Sequence, residues 1–276
     1  MDPKQYFEIF EKEVTSYDSE NSFGIKNYYK FSRRGAFYFW RKAYLLQRLE
    51  YIYSNIVKGS DKSIRVWDVG CGYGTSSLFL AMNGIRSVGL TLEYYHNLIP
   101  LRKNFWKEYG NTDLFEVMVE NLYEVNQEKN HFDFILVQDT LHHLEPIDQA
   151  MQIFSKSLKD NGQIIIVDDN GNNIMQRAKL YMMRGNKRII DYYDENLKRK
   201  IPFGNENVRS FKQWKEIFER NGFNISNEEY IRFLPPLFIS ESNYHKAISI
   251  EQKIWRKSGL LKEGFYWGLN FIGSKK

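Results

Sequence analysis

The chain has 276 residues, of which 42% are hydrophobic, and it carries a formal net charge of +5 at pH 7. No apolar run is long enough to cross a bilayer and the first residues do not resemble a signal peptide, so we expect a cytoplasmic globular protein without a transmembrane segment. Its single cysteine, Cys71, excludes an internal disulfide.

The first sixty residues are rich in aromatic side chains and predict a helical cap. One helix is predicted over residues 3–14, where Pro3 suits an early helical position, and a second over residues 35–57. The polar link between them carries both rings and cations: Tyr28, Tyr29, Arg33 and Arg34. We expect these four side chains to contact a substrate.

A strand, a glycine turn and a helix follow. Residues 64–69 form a short apolar run, and an apolar periodic segment covers residues 76–82. Between them lie three glycines at alternate positions: Gly70, Gly72 and Gly74. Such glycines supply positive φ angles and let a ligand lie against the backbone, but their spacing is neither that of a dinucleotide turn nor that of a phosphate-binding loop. Asp68, two residues ahead of the first glycine, favours a ligand with positive charge.

Strands and helices then alternate, which predicts a mainly parallel sheet with helices on both faces. Four further strands are predicted, over residues 87–92, 114–119, 132–137 and 163–167. Two helices are predicted between them, over residues 101–109 and 145–158, with Asn161-Gly162 ending the second. Ligands of such sheets collect at the carboxyl ends of the strands, where the candidate residues of the sheet fall.

Residues 170–209 interrupt this alternation and are named the lid segment here. The segment is rich in lysine and arginine and is predicted to be helical over residues 174–183. Its place after the fifth strand puts it above the carboxyl ends of the strands, where loops bind substrates. Its charge predicts an acceptor that carries an anionic group.

Regular structure resumes after the lid segment. A helix over residues 210–221 is predicted to begin at the N-cap Ser210 and to end before Gly222. The last two strands, one starting at residue 225 and one over residues 265–272, should form an antiparallel pair that completes a sheet of seven. A helix over residues 248–255 is predicted between them.

Three stretches resemble one protein family. The glycine turn with Asp68 resembles the first motif of the class I S-adenosylmethionine (SAM)-dependent methyltransferases. FDFILVQDTLHHLEP, which starts at Phe132, and LKDNGQIIIVDD, which starts at Leu158, are similar to segments of the type 11/12, ubiquinone-methyltransferase-like small-molecule group of that family. The resemblance covers residues 64–169. It implies an α/β, Rossmann-like fold with a seven-stranded, mostly parallel sheet.

The resemblance also implies a division of the chain and a cofactor site. Residues 1–60 would form the helical cap and residues 61–276 the methyltransferase domain. The glycine turn would hold the amino-acid end of SAM, Glu93 would bind its ribose, and Glu120 or Asn121 would contact its adenine. The implied cofactor-binding residues are Asp68, Gly70, Cys71, Gly72, Gly74, Thr91, Leu92, Glu93, Glu120, Asn121, Leu122 and Gln138.

Methyl transfer requires an acceptor aligned with an electrophilic methyl group and shielded from water, so positioning is the main catalytic contribution. A hydroxyl acceptor also benefits from a base, and His142 and His143 stand where a base could reach it. Together with the basic lid segment, this predicts a small-molecule or lipid-like acceptor that is anionic and is methylated at oxygen.

Two alternatives stay open. Asp139 with Asp168-Asp169-Asn170 resembles the ligand set of metal-dependent catechol-type O-methyltransferases, although the His142-His143 segment is typical of a metal-independent group and no metal is predicted. The chain could instead be a non-catalytic SAM-binding or partner subunit, because fold alone does not prove turnover. Nucleic acid is not the predicted partner, since no nucleic-acid-binding module is visible. The sequence predicts no oligomeric state.

Overall fold

A seven-stranded sheet forms the centre of the computed structural model, which describes residues 1–17, 19–31, 35–126, 129–195, 197–257 and 260–276. Its strands and a separate hairpin are β1 Arg65–Val69, β2 Arg86–Thr91, β3 Phe115–Val119, β4 Phe132–Gln138, β5 Leu158–Asp169, β6 Ile189–Asp194, β7 Arg199–Gly204, β8 Phe223–Ile231 and β9 Gly268–Lys275. The helices are α1 Pro3–Ser16, α2 Ser19–Tyr28, α3 Ala36–Ile52, α4 Thr75–Met82, α5 Glu93–His96, α6 Ile99–Trp106, α7 Ile147–Ser157, α8 Ile174–Arg184, α9 Phe211–Arg220, α10 Tyr244–Lys257 and α11 Leu260–Phe265.

The strand order confirms the predicted fold class. The sheet runs β3-β2-β1-β4-β5-β9-β8, and the first five strands of the chain are mutually parallel. Strand β9 lies antiparallel between β5 and β8, as the sequence predicts for the last two strands. The order reverses between β1 and β4, and this is the position where open α/β sheets bind ligands.

Alternation along the central strands builds a hydrophobic cluster on each face of the sheet. Val66 and Leu136 belong to one cluster, which also takes residues from α1, α3 and α4. Trp67 and Ile135, their neighbours in sequence, belong to the other, with residues from α7 and α9. Helices therefore cover both faces, so that the polar ends of the strands are left for a ligand. Among the described residues, no helix is long and apolar enough to cross a bilayer.

The cap differs from its prediction in one respect. The link between the two predicted helices contains a third helix, α2, which the sequence analysis missed because its ten residues have little amphipathic periodicity. The helix predicted over residues 35–57 is α3 followed by a short π-helical stretch, Tyr53–Val57. Arg33 and Arg34 lie outside the described residues.

The structure corrects the sequence analysis at two boundaries and adds one hairpin. Helix α7 ends at Ser157, so Asn161-Gly162 does not end it but lies within β5, next to an irregular pairing of β4 and β5. Residues 265–267 do not belong to the last strand, because helix α11 extends to Phe265 and β9 begins at Gly268. The lid segment contains the predicted helix, α8, and in addition the β6–β7 hairpin, which was not predicted.

Candidate functional site

A cavity of about 680 Å³ lies at the carboxyl ends of the parallel strands. One part of its wall follows β1, β2 and β3 and includes the glycine turn; we call this the loop side. The rest follows β4 and β5 and includes residues of the lid segment; we call this the lid side. The cap contributes to the wall as well, through residues of α2 and α3 and the link between them.

The glycine turn has a backbone that only glycine adopts without strain. The φ angles are +78° at Gly70, +54° at Gly72 and +77° at Gly74. A Cβ at Gly70 would lie 2.1 Å from the Thr140 hydroxyl oxygen, and one at Gly72 would lie 2.6 Å from the Tyr28 hydroxyl oxygen. The turn thus offers bare backbone to the cavity in a space where a side chain does not fit.

Asp68 is buried beside this turn. Its Oδ2 accepts a hydrogen bond from the Ser77 hydroxyl at 2.8 Å. Burial raises the pKa of Asp68 to about 7, although the hydrogen bond from Ser77 opposes the shift. No cation forms an ion pair with Asp68 in the part of the chain that the structure describes. A ligand with a positive group would therefore stabilise its carboxylate.

The end of β2 supports the turn from the side. The buried Thr91 hydroxyl donates to the Gly72 carbonyl oxygen at 3.1 Å, so this predicted cofactor residue holds the loop in shape. Leu92 and Cys71 line the cavity. Glu93 begins helix α5, and its side chain lies outside what the structure describes.

Of the remaining predicted cofactor residues, all but Gly74 reach the same cavity. Glu120, Asn121 and Leu122 line it after β3, and Gln138 lines it at the end of β4. The Asn121 amide nitrogen also donates to Asp194 of the lid segment at 3.2 Å. Asn121 therefore links the loop side to the lid segment, a role that the sequence did not predict. Gly74 packs against Phe115 and is not part of the cavity wall.

His142 is buried and paired with a carboxylate. Its Nδ1 lies 2.5 Å from Asp168 Oδ1. Burial disfavours the charged imidazole, but the attraction of Asp168 outweighs it and raises the pKa of His142 to about 9. At neutral pH His142 therefore already holds a second proton, which makes it a poor base.

His143 has the opposite character. Its Nδ1 lies 2.7 Å from the Gly204 carbonyl oxygen, and a carbonyl only accepts, so Nδ1 carries the proton of the neutral ring. Burial and the neighbouring charge of His142 lower the pKa of His143. The ring stacks on Phe203 with 4.7 Å between centroids. His143 is therefore a neutral imidazole in the cavity wall with its Nε2 lone pair left to accept a proton.

The metal-ligand set considered in the sequence analysis is occupied by protein partners. Each of its aspartates pairs with a cation: Asp139 with Arg48, Asp168 with His142 and Asp169 with Arg232. A different trio, His142, His143 and Glu206, places its ligand atoms within 4.8 Å of one another and could hold a metal ion. Because Asp168 raises the pKa of His142, a proton on His142 is favoured over a metal ion at this trio.

Buried polar contacts fix the cap beneath the glycine turn. Arg102, which is fully buried, binds both carboxylate oxygens of Glu13 at 2.7 and 2.8 Å and also donates to the Thr75 hydroxyl at 2.7 Å. Tyr29 donates to the same hydroxyl, and Tyr28 packs over Gly72. Both tyrosines line the cavity at the glycine turn.

Several cations in the cavity wall were missed by the sequence analysis. Arg232 pairs with Asp169 at 3.3 Å and lies over the Tyr44 ring, whereas Arg41, Lys30 and Lys179 form no ion pair within the described ranges. Burial and the proximity of Arg232 lower the pKa of Arg41 to about 10, and burial and Arg41 lower that of Lys30. The signals in the sequence were the basic composition of the lid segment, which contains Lys179, and the cations set among the aromatic residues of the cap.

Comparisons with known proteins agree with this architecture. Residues 39–228 match a family model described as "Methyltransferase domain". No curated protein is significantly similar to the chain in sequence. Similar solved structures include phosphoethanolamine N-methyltransferase 2 of Haemonchus contortus in complex with S-adenosyl-L-methionine, with 17% identity and a TM-score of 0.55 over 83% of this chain and 52% of that one.

Two further structures show the same fold. The Haemonchus contortus enzyme with phosphomonomethylethanolamine and S-adenosylhomocysteine has 18% identity and a TM-score of 0.54 over 83% of this chain and 52% of that one, so this chain spans about half of its length. A SAM-dependent methyltransferase of Archaeoglobus fulgidus has 17% identity and a TM-score of 0.52, over 84% of this chain and 94% of that one.

Proposed function

The chain belongs to the methyltransferase domain family, and we propose that it transfers a methyl group from SAM to a small or lipid-like anionic acceptor at oxygen. Bound SAM supplies an electrophilic methyl group on a sulfonium. The protein must therefore hold the acceptor oxygen in position, exclude water and take up the proton of the hydroxyl group.

The loop side fits SAM. A Cβ would fill the cradle at Gly70 and Gly72, which matches a ligand that lies against backbone. Buried Asp68 has no ion-pair partner among the described residues, and an ammonium group would supply one. We assign the amino-acid end of SAM to Gly70, Gly72 and Asp68. Glu93 is proposed for the ribose, and Glu120 or Asn121 for the adenine, because these residues follow the next two strands along the sheet.

The observation that carries oxygen as the methylated atom is the state of His143. Its Nδ1 is tied to the Gly204 carbonyl and its pKa is lowered, so the ring is neutral with Nε2 able to accept a proton. A hydroxyl group loses a proton when it is methylated, and a neutral imidazole in the cavity wall is suited to take it. His142 acts as a positioning residue, because its charge keeps His143 neutral.

Unpaired cations support an anionic acceptor. Arg41, Lys30 and Lys179 line the cavity, and no carboxylate forms an ion pair with any of them among the described residues. Neighbouring like charges that lower the pKa of Arg41 and Lys30 would be neutralised by a carboxylate or phosphate on the acceptor. We therefore place the anionic group of the acceptor beside Arg41.

Methyl-labelled SAM and a deproteinised cell extract test this proposal. We expect the label in a low-mass product that an anion exchanger retains, with a ¹³C chemical shift of a methyl group on oxygen. A labelled product that is cationic, or methylated at nitrogen, would contradict the proposed acceptor. SAM binding without any transfer would support the non-catalytic alternative.

A further inference from the structure

Helix α8 of the lid segment turns large apolar side chains toward solvent. Met182 is 80% exposed, Met175 and Tyr181 are 65% exposed, and Ile174 is 59% exposed. The buried residues of the helix are Gln176 and Leu180. Large apolar groups exposed together mark interaction surfaces, because a monomeric protein gains nothing by leaving them in water.

The apolar and basic side chains of α8 lie on different parts of the helix surface. With about 100° between successive residues, these four exposed apolar side chains fill an arc of roughly 120° on the face opposite Gln176 and Leu180, and Met183, which is 67% exposed, lies outside that arc. Arg177 and Arg184 border this arc on one edge, and Lys179 borders it on the other. An outward apolar stripe between two basic edges is the pattern of a helix that lies in the plane of a membrane interface.

Exposed apolar and basic residues also lie next to both ends of α8. Phe265, 46% exposed, is joined to the start of the helix because the Asn173 amide donates to its carbonyl oxygen at 2.9 Å. At the other end, Lys187 and Arg188 are exposed and lead into Ile189, the exposed first residue of β6. Exposed apolar and basic groups are therefore present at both ends of the helix as well as along it.

We propose that the exposed apolar face of α8 docks on the surface of an anionic lipid bilayer. The apolar side chains insert at the level of the headgroups, and the bordering Arg177 and Arg184 contact lipid phosphates. A second copy of the chain is the less suitable occupant, because a two-fold contact through α8 would bring the basic edges of both copies together.

Docking here would also orient the cavity. Gln176 and Lys179 of α8 line the cavity wall while the opposite arc faces outward, so one short helix separates the site from the bilayer surface. The docking proposal is independent of which acceptor is methylated. It would give an acceptor held in the membrane a short path to the site.

Vesicle sedimentation with the full chain tests the proposal. The probes are phosphatidylcholine vesicles with and without about 30% phosphatidylglycerol, at low and high salt. We expect the chain to sediment with anionic vesicles and to be released by salt. In Met175→Glu/Met182→Glu we expect binding at least about tenfold weaker, since two charges would enter the apolar layer.

Matched variants separate docking from folding. Leu101→Glu/Leu237→Glu places the same two charges at exposed apolar residues outside the lid segment and should bind vesicles as the wild type does. Unchanged melting and SAM affinity in Met175→Glu/Met182→Glu would show that the lost binding is local. Wild-type chain that stays in the supernatant with anionic vesicles overturns the proposal. So does a wild-type dimer that the double variant converts to a monomer without change in vesicle binding.

Discussion

The loop side and the lid side of the cavity are built from different kinds of contact. On the loop side, the groups that shape the site are buried: Asp68 beside the glycine turn, Thr91 under it, and the Arg102–Glu13 pair between cap and core. On the lid side, His142 and Asp168 are buried as well, but Lys179 is exposed, and Arg199 of the hairpin reaches Glu124 through a surface ion pair. Buried, fully partnered polar groups hold one arrangement, whereas exposed ion pairs contribute little to stability.

This difference indicates which side of the cavity binds the methyl donor and which binds the acceptor. A site for an invariant methyl donor benefits from a fixed cradle, because positioning the methyl group is the main catalytic contribution. A site for the acceptor must open to admit it and release the product. We therefore expect changes on the loop side to alter SAM affinity, and changes on the lid side to alter acceptor turnover.

The largest effect is expected from Gly70→Ala on the loop side. The new Cβ would stand 2.1 Å from the Thr140 hydroxyl at a φ of +78°, so the turn must shift away from its cradle. We expect SAM affinity to fall by more than about a hundredfold in calorimetry. Gly59→Ala is the matched control: its φ is +77° and nothing lies within 4 Å, so only stability should drop, by about 1 kcal/mol. Equal SAM affinity in the two variants would contradict the cradle.

His143→Ala tests whether a change on the lid side lowers turnover without changing SAM affinity. Loss of the base should lower kcat by about a hundredfold while the dissociation constant of SAM stays unchanged. His245→Ala, on the exposed surface of α10, should leave both unchanged. Near wild-type turnover of His143→Ala would place the base elsewhere.

The pH dependence of cofactor binding follows from Asp68. Its pKa is about 7, so at lower pH the carboxyl is neutral and attracts an ammonium group less. We expect affinity for S-adenosylhomocysteine to fall as pH decreases below 7, by up to about tenfold per unit. Asp68→Asn should bind weakly at every pH. An affinity that stays constant between pH 5 and 8 in the wild type, within about twofold, would remove Asp68 from the site.

Arg41→Gln, in the cap next to Arg232, should affect acceptor binding alone. We expect the KM for the acceptor to rise about tenfold, because one charge-assisted contact to its anionic group is lost, with SAM affinity unchanged. Arg86→Gln, which removes an exposed ion pair at the amino end of β2, is the control and should change neither value. A rise in the dissociation constant of SAM in Arg41→Gln would contradict the division of the cavity.

The smallest effect is expected from metal removal. His142, His143 and Glu206 could hold an ion, but the proposal gives His143 to the proton of the acceptor. Dialysis against EDTA should therefore leave turnover unchanged within about twofold. Lost activity that a divalent metal restores would favour the metal-dependent alternative.

Sequence reasoning succeeded where local pattern and local structure coincide. The glycine turn, the parallel strands and the capped helix after Ser210 are each specified by neighbouring residues, and the structure contains them all. Pairing between separate segments of the chain could not be predicted from the sequence. Most side chains of the β6–β7 hairpin are exposed, so the sequence of its strands shows little alternation of apolar and polar residues.

The candidate site shows the same limit. Asp68 and the glycines could be named because adjacent residues form one turn. The partners of His143 and Asp169 could not, because Gly204 and Arg232 lie more than sixty residues away in the chain. What distinguishes His142 from His143 is a set of such long-range contacts, so the sequence could only name both.

A crystal structure with S-adenosylhomocysteine tests the division of the cavity most directly. The account predicts the amino-acid end of the ligand on the glycine turn next to Asp68, with its sulfur facing His143 and the lid side. A ligand bound in the opposite direction, or a turn that takes a nucleotide phosphate instead, would contradict it.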